Sequence, residues 1–81
     1  NEFKKAIKHY NFAIKSFPNY TVALNNLASA QQKLLDYDLA YATYKKVLVI
    51  EPNNKTAIKK SKELEKRNDY SPFKGVKDKG F

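Results

Sequence analysis

Among its 81 residues the chain has no cysteine and no methionine. Without cysteine there is no disulfide framework, no thiolate metal site and no cysteine nucleophile. An intracellular, reducing compartment such as the cytoplasm is the expected location. Methionine is missing even at position 1, so the sequence reads as a segment of a longer protein. No apolar run approaches the ~18 residues needed to span a bilayer, and no secretory apolar segment follows Asn1-Glu2-Phe3-Lys4-Lys5. Histidine occurs once, as His9 beside Lys8. With no positioned partner for acid–base work it reads as a surface residue. There is no glycine-rich phosphate loop and no metal-ligand cluster, so neither a metal nor a cofactor is expected. Glu63 and Glu65 are two residues apart and do not face each other on a helix, whereas Glu63 and Arg67 have the spacing of a surface ion pair. These features point away from an enzyme.

What the chain has in excess is positive charge. Lysine and arginine number 16 against 8 acidic residues, a formal net charge of +8. Such a balance favours acidic partners, whether carboxylate-rich peptide, nucleic acid or anionic lipid.

Apolar spacing gives the architecture. Phe3, Ala6, Ile7, Tyr10, Ala13, Ile14 and Phe17 recur at steps of three and four, which predicts an amphipathic helix ended by Pro18-Asn19. Thr21 is placed to cap a second helix, with Leu24, Leu27, Ala28, Leu34 and Leu35 on its buried side. Asp36-Tyr37-Asp38 predicts a short turn. Leu39, Ala40, Tyr44, Val47, Leu48 and Ile50 mark a third helix, ended by Pro52-Asn53-Asn54. A fourth is expected from about Lys55 to Arg67, on the thin stripe Ala57, Ile58 and Leu64. No segment reads as a strand.

The two halves also match each other. Phe3 and Tyr37, Ala6 and Ala40, Tyr10 and Tyr44, Ile14 and Leu48, Pro18 and Pro52, and Asn19 and Asn53 are all 34 residues apart. Leu24-x2-Leu27-Ala28, Ala40-x3-Tyr44 and Pro52 follow the order of small, large and proline positions of one repeating unit. On these residues the chain resembles the tetratricopeptide-repeat family from Asn1 to about Arg67. The resemblance implies an all-α fold, built as antiparallel helix pairs of a solenoid and forming a fragment of a right-handed superhelix. Residues 1–17 correspond to the second helix of an incomplete repeat, 18–52 to a complete repeat, and 53–67 to a C-terminal capping helix. The last departs from the pattern, with Ser61 for leucine, Lys62 for a small residue and Glu65 for tyrosine. Small residues at Ala6, Ala28 and Ala40 would let backbones approach, and Tyr10 and Tyr44 would fill the gaps between helix pairs.

The same resemblance implies function. Such arrays are scaffolds or adaptors within protein complexes, and the first helix of each repeat lines a concave groove. By position, Val22, Asn25, Asn26, Ser29 and Gln32 face it, followed by Thr56, Lys59, Lys60 and Glu63. Asn26 carries two donors and an acceptor on one amide, so it can pair with both sides of a peptide group and hold an extended backbone. The expected partner is a protein or peptide, acidic in character. Some co-chaperones of this family grip the acidic C-terminal peptide of cytosolic heat-shock chaperones. Asn26 and Lys60 fall on two of that clamp's positions, while Thr56 departs from it, and lysine in place of arginine loses the bidentate fork. Lys55, Lys59 and Lys60 supply the electrostatic remainder. A third possibility is a basic subunit of a ribonucleoprotein, through Lys4, Lys8, Asn11, Lys15, Lys45 and Lys46. No aromatic platform is expected among these lysines, which weakens nucleic-acid contact.

Residues 68–81 contain both glycines, a proline and no helical period. This extended tail is expected to be held by a neighbouring chain or by upstream repeats. Tyr70 and Phe73 are its anchors, Phe73 the main one. The sequons at Asn19 and Asn54 and the Ser71-Pro72 pair read as chance matches.

Overall fold

A computed structural model describes residues 2–67. Four helices account for most of them: α1 Glu2–Ser16, α2 Thr21–Lys33, α3 Tyr37–Ile50 and α4 Lys55–Glu65. There is no strand among the described residues. Each helix packs on the next, α1 on α2, α2 on α3 and α3 on α4. Connections this short leave consecutive helices as antiparallel neighbours. The expectations for the tail, including Tyr70 and Phe73, lie outside the described residues.

The core lies around α3. Leu24 and Ala28 of α2, Ala40, Tyr41, Tyr44 and Val47 of α3, and Ala57 and Leu64 of α4 form one buried cluster. Ala28, Ala40 and Ala57 are wholly inaccessible. A methyl group at each of these positions lets the helices close without a void or a clash. Tyr44, only 1% exposed, fills the space between them. By contrast, α1 has no buried residue. Its Tyr10, one repeat before Tyr44, is half-buried.

Several local expectations are corrected. Thr21 does not cap α2. The capping position belongs to Tyr20, whose side chain makes no cap hydrogen bond. The Thr21 hydroxyl instead donates to Glu51 Oε2 at 2.9 Å. Tyr37 is not part of a turn but opens α3, with Asp36 before it. α4 ends at Glu65 rather than Arg67. Leu39 and Leu35 are 55% and 68% exposed rather than buried.

The reason for Leu35 is the way α2 ends. The Leu35 N–H donates to the Gln32 carbonyl and the Asp36 N–H to the Gln31 carbonyl, both at 2.9 Å. This Schellman ending requires left-handed backbone at Leu35, whose φ is 65°. For a residue with a Cβ that conformation costs about 1–2 kcal/mol, and it turns the side chain outward, away from the helix face.

α4 stays attached despite its polar sequence. Asn54 Oδ1 accepts from the Ala57 N–H at 3.0 Å and caps the helix. Ser61 stands where leucine was expected. It is buried, and its hydroxyl donates to the Ile58 carbonyl at 3.2 Å. Glu65, in place of tyrosine, accepts from the Tyr41 hydroxyl at 2.5 Å. Lys62 is exposed. Of these departures Glu65 thus links α4 to α3, Ser61 bonds within α4, and Lys62 meets solvent.

Candidate functional site

The side of α2 away from the core carries Val22, Asn26 and Ser29, spaced four and three residues apart and so on one helix face. Val22 and Asn26 are exposed, and Ser29 and Gln32 are half-buried. On α4, Thr56, Lys59 and Glu63 are exposed and Lys60 is half-buried.

Two clefts run beside this face of α2. The first, of about 280 Å³, lies toward α1 and is bordered by Phe3, Ala6, Tyr10, Asn26 and Ser29. The second, of about 360 Å³, is bordered by Ser29, Gln32, Leu35, Tyr37, Lys60 and Arg67. Ser29 and Lys33 border both, so the two join along α2. Asn26 and Lys60 therefore stand on one groove but open on different clefts. Lys59 borders neither cleft among the described contacts. A larger hollow, about 730 Å³, lies at the α1–α2 turn beside Phe17, Pro18 and Tyr20. It lacks a converging set of charged groups, so the groove along α2 is the stronger candidate.

The groove carries Lys33, Lys60 and Arg67, with Glu2 bordering the cleft toward α1. Lys60 Nζ lies 3.8 Å from Glu63 Oε1 in a partly exposed pair, an arrangement that contributes little in water. The Arg67 guanidinium sits 4.0 Å from the centre of the Tyr37 ring, which orients it by cation–π attraction.

Asn25 is placed differently from Asn26. Its amide donates to Asn54 Oδ1 at 3.2 Å, and its own oxygen is buried without a hydrogen-bond partner among the described residues. It faces the α3–α4 turn. There, Asn54 Nδ2 donates to Glu51 Oε1 at 2.9 Å while Thr21 reaches Glu51 Oε2. The hydrogen bond from Asn54, then that from Thr21, holds the Glu51 carboxyl below its usual pKa. This cluster ties the start of α2 to the next helix pair. Its members are 29 and 30 residues apart, so local sequence carried no signal of it. Tyr44 is pushed above its usual pKa by burial and then by the charge of Glu63, which keeps the core phenol neutral.

On the outer face Lys4, Lys8, Asn11, Lys15, Lys45 and Lys46 are all exposed. Phe12 is 74% exposed, and helical spacing puts it beside Lys8 and Lys15. The basic stripe therefore does hold an exposed aromatic residue, contrary to the sequence expectation, and the Lys45 amine lies 5.8 Å from the centre of the Tyr41 ring. His9 is exposed as well.

Comparison with known proteins agrees with this architecture. Residues 21–54 match the family described as "Tetratricopeptide repeat". The chain is 34% identical over 76 residues to the "Tetratricopeptide repeat domain-containing protein PYG7, chloroplastic" of Arabidopsis thaliana, covering 94% of this chain and 25% of that protein. It is 48% identical over 48 residues to the "Uncharacterized protein ycf37" of Pyropia yezoensis, covering 59% of this chain and 27% of that protein. The chain thus spans about a quarter of the length of these relatives. No solved structure matches it. With the 34-residue spacing, the packed alanines and tyrosines, and the match over 21–54, residues 21–54 are a tetratricopeptide repeat, in a chain similar to a protein named for that repeat.

Proposed function

We propose that this chain holds an extended, acidic segment of a partner protein in the groove along α2 and α4. The observation that carries the reading is Asn26. Its amide is exposed on the cleft beside Tyr10 and Ser29, free of the Asn54 contact that occupies its neighbour Asn25. From there it can donate to a peptide carbonyl and accept from a peptide N–H. The net charge of +8 favours an acidic segment. The heat-shock clamp rests on less, since Asn26 and Lys60 open on different clefts. The ribonucleoprotein reading rests on lysines with the exposed Phe12 beside Lys8 and Lys15.

A suitable probe is a capped octapeptide repeating aspartate-serine-leucine-serine, titrated calorimetrically into the intact protein. Asn26→Ala should weaken its binding by about 1–3 kcal/mol, because a desolvated peptide group loses its partner. Equal affinity in wild type and variant would refute the assignment of the groove.

A further inference from the structure

The cleft at the C-terminal end of α2 differs in construction from the rest of the groove. Leu35 occupies the left-handed position of the helix ending, where glycine would sit without steric cost. Burial does not compensate for the strain, because the side chain is 68% exposed. It projects at the edge of the cleft that also holds Tyr37, Lys33, Lys60 and Arg67. Glu63, paired with Lys60 at 3.8 Å, is the neighbouring acid on α4. Three cations and a protruding apolar side chain therefore share one opening.

We propose that this cleft is a two-part subsite for an acidic side chain and an apolar side chain of the same bound peptide. It rests on the groove reading above and names what the groove selects. Lys33, Lys60 and Arg67 receive the carboxylate. Leu35 contacts the apolar group, while the Tyr37 ring carries the Arg67 guanidinium. In an extended peptide, residues i and i+2 point to the same side, so the recognised pattern is an acid and an apolar residue separated by one position. The carboxylate is a side chain rather than a chain terminus, because Ser29 and Lys33 border both clefts and the groove continues toward α1. A peptide can therefore pass through. Strain at Leu35 is retained because glycine would leave the apolar arm empty.

The test uses the capped octapeptide and the intact protein at low salt. Replacing its aspartates by asparagine should weaken binding about three- to tenfold, and so should Lys33→Gln combined with Arg67→Gln. Adding salt should narrow both differences. Leu35→Gly should raise Tm by about 2–5 °C by relieving the backbone. The same variant should weaken binding of the leucine peptide about threefold, and leave binding of its alanine analogue unchanged. A raised Tm with unchanged affinity would make Leu35 a tolerated accident and overturn the apolar arm. Equal binding of the aspartate and asparagine peptides would overturn the acidic arm. So would binding that requires an uncapped C-terminus. Binding lost in Asn26→Ala but indifferent to all cleft variants removes this inference and leaves the groove reading standing. No binding of any peptide at millimolar concentration removes both.

Discussion

Glu51 shows how a surface residue can be structural. It accepts hydrogen bonds from Thr21 and Asn54, and both favour its ionised form. Its pKa is lowered in the fold, so its contribution is present above the ordinary glutamate value of ~4.3 and is lost as pH falls through the lowered folded value. Thermal melts across about pH 5 to about pH 2 should show stability declining in wild type and declining less steeply in Glu51→Gln. Parallel profiles would mean that the carboxylate is not coupled to folding. Part of this cluster was legible in the sequence. Asparagine is a residue type suited to a helix cap, and Asn54, which in the sequence reads only as part of the end of α3, is one. Its partners Asn25 and Thr21 were not legible, because both lie on a helix whose rotation about its axis is set by packing. Asn25 and Asn26 are equivalent as residue types. Rotation by one residue turns the first toward Asn54 and leaves the second at the groove.

At the scale of the element, α4 is the informative case. Its apolar stripe is thin, yet Ala57 and Leu64 are wholly buried. The polar links from Asn54 to Asn25 and from Glu65 to Tyr41 supplement a small hydrophobic contact. Leu64→Ala should therefore destabilise the protein by about 2–5 kcal/mol, since the cavity lies between two helices with few other anchors. Val49→Ala, at a side chain 82% exposed on α3, should change stability by no more than about 0.5 kcal/mol. Urea unfolding of the two variants gives the comparison, and similar losses in both would contradict the burial seen here. Helix periodicity located all four elements. It did not locate the outward turn of Leu35 and Leu39, because residue type indicates which side chains prefer burial and not which ones the fold can reach.

For the whole molecule, stability is uneven. Among the described residues α2 and α3 are packed on two sides, while α1 packs mainly on α2 and buries none of its residues fully. Equivalent positions make the contrast plain. Ala40, Tyr44 and Val47 are at most 1% exposed, but Ala6, Tyr10 and Ala13, one repeat earlier, are half-buried. Local opening free energy follows the apolar contacts that must be broken. Amide exchange should therefore be fastest in α1 and slowest in α2 and α3. Protection of α1 equal to that of α3 would require a cover on its open face.

The repeat period, the four helices, the positions of small and large core residues and the excess of positive charge were determined by the sequence alone. Each is a property of residue type and spacing along the chain. The tertiary structure decided which of two adjacent asparagines faces the groove, that Thr21 reaches Glu51 rather than capping its helix, and that Leu35 projects beside three cations. These depend on the rotation of each helix about its axis and on contacts between residues about 30 positions apart. Packing of the assembled helices sets that rotation, and no local spacing records it.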